Sequence, residues 1–141
     1  MQVDNIEIGT VVDHITAGHA PKVMKLLGIG DEYPHRVAVV MHVPSKKMKT
    51  KDIVKIEGKV VTEESANILA LVAPGASVNI IRDGKVEKKY KIKLPAKIEG
   101  VGRCPNPKCV SHEDVSSRFN MESKKYRCYY CERLFKTEEL V

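Results

Sequence analysis

The segment RVAVVMHV at residues 36–43 and the segment DIVKIE at residues 52–57 are rich in β-branched residues, which favour strands. Pro44 ends the first segment and Gly58 ends the second. The stretch between them, residues 45–51, is mostly polar and rich in lysine. We therefore predict a β-hairpin made of two antiparallel strands.

A strand and a helix precede this hairpin. Residues 9–15, GTVVDHI, have the composition of a strand. Apolar residues then follow at helical spacing as far as Gly28, a natural stop for a helix. Together they predict a helix over about residues 18–27.

A helix and two strands follow the hairpin. Thr62 is a favourable N-cap, and Pro74 stops the helix that begins there. The apolar stripe predicted to be buried in this helix consists of Ile68, Leu69, Leu71 and Val72. Residues 77–81 and 85–92 are predicted strands joined by Asp83-Gly84, a strong signal for a two-residue hairpin turn.

The order of these elements is strand, helix, strand, strand, helix, strand, with one further hairpin strand. This order predicts a fold of the α+β class, a ferredoxin-like (βαββαβ) sandwich. Both helices would then cover one face of the sheet and leave the other face open to a partner.

All four cysteines lie in the last 38 residues, at Cys104, Cys109, Cys128 and Cys131. Two pairs at this spacing can place four thiolates around one tetrahedral ion, which favours a structural zinc site without an open position for catalysis. Two disulfides or another metal are the alternatives, and the absence of a recognisable signal peptide argues against disulfides. His112 is interpreted as a surface residue.

Pro95 and the Gly100-Val101-Gly102 run separate the cysteine region from the rest of the chain. We predict a first domain over residues 1–97 and a small β-rich four-Cys zinc-ribbon domain over residues 98–141. Short strands are predicted at residues 116–120 and 125–128. So small a module needs its metal to fold.

Composition excludes several classes of protein. Hydrophobic residues make up 43% and charged residues 30%, which is typical of a folded domain. No apolar run is long enough to span a bilayer, so we expect a cytoplasmic protein without membrane contact. With no Trp, two Phe and five Tyr, the chain offers little for stacking on nucleic acid, and no nucleic-acid partner is expected.

The formal net charge of +6 is concentrated in two blocks. Residues 46–59 and residues 83–97 each contain six lysines against two acidic residues. If the blocks meet in the fold, they form a site for a polyanion. The alternative is that these lysines only solvate exposed strands.

No catalytic constellation is recognisable. The chain has no glycine loop that would cradle phosphates and no cysteine left over as a nucleophile. Asp13-His14 pairs an acid with an imidazole, which a regular strand would point to opposite faces. This dipeptide is either part of a functional site or an ordinary polar strand end.

Several motifs in order give the chain a resemblance to a known family. They are residues 9–15, Lys51–Glu57, Leu71-Val72-Ala73-Pro74, Val78-Asn79, Leu94-Pro95, and Cys104-Pro105-Asn106-Pro107-Lys108-Cys109-Val110-Ser111. The chain thus resembles the regulatory chains of aspartate carbamoyltransferase over essentially its whole length.

The resemblance implies a protein without catalytic activity of its own. It implies an N-terminal allosteric domain that binds nucleotide effectors, with CTP as inhibitor, ATP as activator and UTP as a further possibility. It also implies one structural Zn²⁺ per chain in a domain that contacts the catalytic chain. The assembly implied is two catalytic trimers with three regulatory dimers, acting at the committed step of pyrimidine biosynthesis.

The resemblance also implies the effector-binding residues. They are Val3, Asp4, Ile6, Asp13, His14, Lys51, Ile53, Lys55, Asn79, Ile81, Val86 and Lys89, with Lys55 and Lys89 expected to converge on the triphosphate. Lys51, Ile53 and Lys55 also share one strand face by their spacing alone. Gly84 stands where some members carry an aromatic residue, and Glu7 where some carry a basic one.

Two other functions remain as alternatives at this point. A zinc-ribbon protein associated with transcription or RNA would fit the pI of about 9.1, but it fits poorly with the near-neutral cysteine region. A small nucleotide-using enzyme would need a nucleophile or a base that the sequence does not assemble.

Overall fold

Five strands in the first part of the chain form one antiparallel sheet. The computed structural model describes residues 6–141, so the predicted site residues Val3 and Asp4 lie outside the described residues. The strands are β1 (Gly9–Thr16), β2 (Val37–Ser45), β3 (Lys49–Glu57), β4 (Ser77–Arg82) and β5 (Lys85–Lys91).

The order of the strands in this sheet is β2-β3-β1-β4-β5. Along the chain, one helix connects β1 to β2, and a second connects β3 to β4. In the sheet, β3 lies between β1 and β2, and β1 lies between β3 and β4. This interleaving of two βαβ units is the ferredoxin-like arrangement, and β5 adds one edge strand. The predicted α+β fold is confirmed.

The helices are short. Helix α1 spans Ala20–Leu26, and helix α2 spans Glu63–Asn67 and continues as a 3₁₀ turn, Ile68–Leu71. The predicted N-cap is present, because the Thr62 hydroxyl oxygen accepts the Ser65 N–H at 3.1 Å. The predicted stripe is only partly right, since Ile68 is half-buried while the other three are buried. The 3₁₀ segment has three residues per turn instead of 3.6, so its apolar side chains no longer lie along the single face that α-helical spacing predicts.

Alternate residues of the sheet fill two different apolar layers. The helix side is packed by the fully buried Val12, Val54 and Val78. The strand residues Val11, Ile53 and Ile81 have the opposite parity. They form a second, smaller cluster with Ile6, which precedes β1, and Val43 packs against it. The sheet thus buries apolar side chains on both faces, but none of the helices described within residues 6–141 lies over the second face.

Two β-bulges interrupt the regular pairing around β3. In β1 the register shifts between Val12 and Ile15, and in β2 it shifts between Val40 and Val43. Each bulge contains a histidine with positive φ, His14 at 58° and His42 at 57°. The hairpin loop is also shorter than predicted, because Ser45 still pairs with Lys49.

The second compact unit runs from Leu94 to Val141. Its sheet has the order β6 (Lys97–Glu99), β7 (Arg118–Glu122), β8 (Lys125–Cys128) and β9 (Leu134–Phe135), and helix α3 (Thr137–Leu140) closes the chain. The boundary lies four residues earlier than predicted. The reason is that β6 pairs with β7, and that the Tyr126 hydroxyl donates to the Pro95 carbonyl at 2.6 Å.

Within residues 6–141, no helix has the length and apolar composition needed to cross a bilayer.

Candidate functional site

One row of paired residues crosses all five strands of the first unit. Register pairs Ala38 with Lys55, Lys55 with Val11, Val11 with Asn79, and Asn79 with Lys89. Directly paired residues project from the same face of a sheet. Three predicted site residues, Lys55, Asn79 and Lys89, therefore share the face without helices, which we call the helix-free face.

The second apolar cluster forms a floor on this face. Its members Ile6, Ile53 and Ile81 are predicted site residues, and all are at least 93% buried, as is Val11, which the sequence did not single out. Gly9 allows Ile6 to lie there, because a Cβ on Gly9 would stand 2.9 Å from the Ile6 side chain and 2.3 Å from the Ile56 carbonyl oxygen. Val86, by contrast, is 53% exposed on the edge strand β5.

The β1 bulge brings Asp13 and His14 together. The expectation that they point to opposite faces is wrong, since the His14 Nδ1 lies 4.0 Å from the Asp13 carboxylate. A left-handed φ at His14 breaks the alternation of the strand. Asp13 also accepts the His14 backbone N–H at 2.6 Å and pairs with the Lys51 ammonium at 3.0 Å.

Burial, neighbouring lysines and a backbone hydrogen bond together set the electrostatics of Asp13 and His14. Burial alone would raise the pKa of Asp13, but the hydrogen bonds from Lys51 and from the His14 backbone hold that pKa below its usual range. Burial lowers the pKa of His14, and the positive charges of Lys51, Lys47 and Lys89 lower it further, against the opposing effect of Asp13. The lowered pKa favours the neutral imidazole of His14, whose Nδ1 lies 3.1 Å from the Ser77 hydroxyl.

Two clefts open on this unit near the predicted lysines. A cleft of about 330 Å³ is lined by Ile6, Arg36, Val37, Ala38, Lys55 and Glu57. A second cleft, of about 270 Å³, is lined by His14, Lys47, Ser77, Lys89, Tyr90 and Lys91. We call them the Lys55 cleft and the Lys89 cleft.

The two lysines expected to converge on one triphosphate therefore line different clefts. Lys55 on β3 and Lys89 on β5 are separated by three strand spacings, about 14 Å. The two basic blocks do meet, but through Lys47 of the first and Lys89 and Lys91 of the second. The sequence did not single out Lys47, Ser77 or Lys91. What places these residues together is the strand register, which pairs Ser77 with both Asp13 and Lys91. This register cannot be read from the sequence before the strands are aligned.

The four cysteines of the second unit converge on one point. Their sulfur atoms all lie within 4.8 Å of one another. Cys104 and Cys131 are 3.7 Å apart, and Cys109 and Cys128 are 3.6 Å apart. Four sulfurs at the Zn–S distance of a tetrahedral site would be about 3.8 Å apart, whereas a disulfide needs about 2.05 Å. The donor set fits a tetrahedral metal ion, and no disulfide joins these four cysteines in the structure.

Short turns hold the sulfurs in place. The Asn106 carbonyl accepts the Cys109 N–H at 3.1 Å and also lies 2.8 Å from the His112 Nε2. His112 is thus used to fix the turn and lies outside the ligand set. Burial alone would raise the pKa of Cys109, but the Ser111 hydroxyl donates to its sulfur at 3.1 Å and helps to lower that pKa to about 6. Cys109 is therefore readily available as the thiolate that binds a metal.

Comparison with known proteins extends over both units. The family model of the aspartate carbamoyltransferase regulatory chain, allosteric domain, matches residues 1–93, and that of the metal binding domain of the same chain matches residues 96–141. The chain belongs to this family. Aspartate carbamoyltransferase regulatory chains are non-catalytic, so the enzyme alternative is set aside. The four-cysteine cluster lies within the segment that matches the family's metal binding domain, and its donor set fits a metal ion.

Individual relatives agree along the whole length. The chain is 49% identical to the aspartate carbamoyltransferase regulatory chain of Pyrococcus furiosus and 47% identical to that of Thermococcus gammatolerans, in both cases over 100% of this chain and 96% of the relative. It is 47% identical to the regulatory chain of Methanopyrus kandleri, over 99% of this chain and 93% of the relative.

Proposed function

We propose that this chain binds nucleoside triphosphates on the helix-free face and transmits their binding to the catalytic chain of aspartate carbamoyltransferase. The effectors are CTP as inhibitor and ATP as activator, with UTP as a further candidate. The observation that carries the proposal is the row Lys55–Val11–Asn79–Lys89, which combines an apolar floor, an amide and two cations on one face.

The nucleotide lies across the sheet in this proposal. An extended nucleoside triphosphate is long enough to reach from the Lys55 cleft to the Lys89 cleft. The nucleoside occupies the apolar end, beside Ile6 and Lys55, and Asn79 in the middle supplies both a donor and an acceptor. The phosphates occupy the basic end beside Lys89. Lys55 and Lys89 therefore act at opposite ends of the ligand.

The metal is proposed to be one Zn²⁺ per chain, held by Cys104, Cys109, Cys128 and Cys131. Four thiolates fill a tetrahedral shell, so the ion's chemical role is to stabilise the fold. The chain's own residues orient the ligands, and the unit built around them contacts the catalytic chain. Thiolate ligands persist in a reducing compartment, which supports a cytoplasmic location.

The assembly is proposed to be two catalytic trimers joined by three regulatory dimers. Strand β2 is an edge strand of the first sheet and exposes Val39 and Met41 on it. An edge strand with exposed apolar side chains offers both hydrogen-bonding groups and contact area to a second copy. This feature supports dimerisation through the first unit.

Calorimetry and reconstitution test the proposal together. The full chain is titrated with CTP and with ATP, and is separately mixed with the catalytic chain of the same organism. Binding of either nucleotide, a stable complex with the catalytic chain, and nucleotide sensitivity only in that complex would support the proposal. A complex whose activity ignores both CTP and ATP would contradict it.

A further inference from the structure

Lys47 reaches the Lys89 cleft from outside the sheet. It lies in the turn between β2 and β3, whereas Lys89 and Lys91 lie on β5 at the opposite edge. The turn is held by its own polar contacts, since the Ser45 hydroxyl accepts the Lys47 N–H at 3.3 Å and the Met48 N–H at 3.2 Å. The backbone of Lys47 is therefore positioned before any ligand arrives.

The cleft brings three positive charges together without a carboxylate. Among the residues from Ile6 onward, no ion pair includes Lys47, Lys89 or Lys91, and the nearby Asp13 is already paired with Lys51. The close approach of Lys91 to Lys47 and the charge of Lys89 lower the pKa of Lys47. Such an arrangement is unfavourable by itself and becomes favourable when an anion lies between the lysines.

The three lysines are staggered along the face. Lys89 stands in the row with Asn79, and Lys91 stands two residues further along β5, opposite Ser77. Lys47 approaches the same end from the turn. A phosphate chain that begins beside Asn79 and Lys89 therefore meets Lys91 and Lys47 with its later phosphates.

We propose that Lys47 and Lys91 bind the terminal phosphate of the effector, and that Lys47 is the residue that makes the site prefer nucleoside triphosphates to monophosphates. This inference rests on the proposed function, because it assigns a specificity determinant within the same site. Lysine suits the task as a point charge whose attraction grows with each added phosphate.

The test is a comparison of phosphate number in two neighbouring variants. Full-length Lys47→Ala and Lys46→Ala are each titrated with ATP, ADP, AMP and inorganic tripolyphosphate by calorimetry at low salt. Lys46 is a matched control, since it lies in the same turn and is exposed, but does not line the cleft. Thermal unfolding checks that both variants fold.

We expect Lys47→Ala to weaken ATP and tripolyphosphate binding about fivefold, the size of a partly solvated ionic contact, and to leave AMP binding nearly unchanged. Lys46→Ala should change none of them. Equal losses for ATP and AMP, or equal losses in the two variants, would overturn the inference.

The polyphosphate arm separates this inference from the proposed function. If the wild-type chain binds tripolyphosphate through Lys47 but binds no nucleotide, the nucleotide site and the role of Lys47 in nucleotide preference are both wrong, and only the binding of a polyphosphate by Lys47 stands. If nucleotides bind with the same affinity in Lys47→Ala as in the wild type, the lysine assignment fails alone. If neither nucleotide nor tripolyphosphate binds the wild-type chain, both fail.

Discussion

At the scale of single residues, Asp52 is a buried carboxylate that connects three parts of the first unit. It is fully buried, and it accepts the backbone N–H groups of Gly18 at 2.8 Å, Ala20 at 3.0 Å and His42 at 3.0 Å. The first two belong to the entry of α1 and the third to the β2 bulge. One side chain thereby fixes the start of a helix and an irregularity in a strand.

Replacing Asp52 with Asn removes the charge and turns one accepting oxygen into a donor. We expect Asp52→Asn to lower the free energy of unfolding by about 2–4 kcal/mol, the cost of unsatisfied buried donors. Urea unfolding of the first unit's signal measures this loss. Asp83→Asn is the control, because Asp83 is exposed in a turn with a positive φ that Asn also tolerates. Equal losses of unfolding free energy in the two variants would contradict the stabilising role of Asp52.

The same carboxylate gives a pH dependence of known sign. Burial alone would raise the pKa of Asp52, but the three N–H donors hold the pKa below its ordinary value. A carboxylate with a lowered pKa stabilises the fold when the pH is above the pKa of Asp in the unfolded chain, about 3.9. That stability is lost as the pH falls through the pKa of the folded state. The stability difference between wild type and Asp52→Asn should therefore shrink below about pH 4.

Lys55 and Lys89 give the next prediction, because they lie at opposite ends of the proposed nucleotide. Lys55→Ala should weaken binding of both CTP and cytidine, by roughly 1–3 kcal/mol for a lost charge-assisted contact. Lys89→Ala should weaken CTP by about 1 kcal/mol at this exposed position and leave cytidine unchanged. Calorimetry on the full chain distinguishes the two patterns.

Lys88→Ala is the control for Lys89, since the two are neighbours on β5 and point to opposite faces. If Lys88→Ala weakens CTP as much as Lys89→Ala does, general charge rather than position explains the effect.

At the scale of elements, the sequence specified the strands better than the relations between them. The β-branched runs, the Thr62 cap and the Asp83-Gly84 turn are local signals, and each identified its element. The bulge at Asp13-His14 has no such signal, because its left-handed residue is a histidine and not a glycine. Since side chains alternate with period two, that one irregularity reversed the expected direction of a site residue.

The candidate site followed the same division. Family likeness put Lys55, Asn79 and Lys89 in one expected site, and strand spacing put Lys51, Ile53 and Lys55 on one strand face. Register in the folded sheet places Lys55, Asn79 and Lys89 on the same face, because pairing across a regular sheet preserves faces. Lys47 and Lys91 could not be found this way, since their meeting depends on how far a hairpin turn reaches across the sheet. That distance is a property of the folded sheet and not of any single segment.

The cysteine turns carry the prediction for the second unit. Cys109→Ser should lose the metal and most of the ordered structure after Leu94, because metal binding is folding energy for so small a unit. Nucleotide binding by the first unit should persist. Metal analysis of the wild type should return one zinc per chain, and hydrogen exchange should place the loss of protection in residues 94–141.

Ser111→Ala is the companion variant, because it removes one hydrogen bond to a ligand and keeps all four sulfurs. It should weaken metal affinity by about tenfold at least while the unit stays folded with zinc in excess. A Cys109→Ser chain that keeps full zinc content would show that the four sulfurs are not the metal site.

At the scale of the whole molecule, regulation requires that nucleotide binding differ between two states of the assembly, since equal affinity shifts nothing. The chain passes from the first unit to the second at the junction after Lys93, and the carbonyl of Pro95, at the start of the second unit, accepts the Tyr126 hydroxyl. Coupling between sites is typically about 1–3 kcal/mol, so several-fold changes in apparent aspartate affinity are expected.

Loosening this junction should reduce coupling more than nucleotide binding. Pro95→Gly frees the backbone, and Tyr126→Phe removes one hydrogen bond at nearly constant volume. Each variant is reconstituted with catalytic chains, and nucleotide affinity and the aspartate saturation curve are measured on the same preparation. A proportional fall in both, or no change in either, would show that the junction is a passive tether.

The position of β1 in its sheet also determines when the chain can fold during synthesis. This strand is made first, yet both of its neighbours, β3 and β4, come later, and the second is complete only at Arg82. At roughly 5 to 20 residues per second, the apolar strand waits for several seconds outside the ribosome. In the second unit, by contrast, every strand pairs with its neighbour in sequence, so each strand can pair soon after it is made. The wait of β1 for its second neighbour therefore ends at Arg82, before Cys104, the first cysteine, has been made.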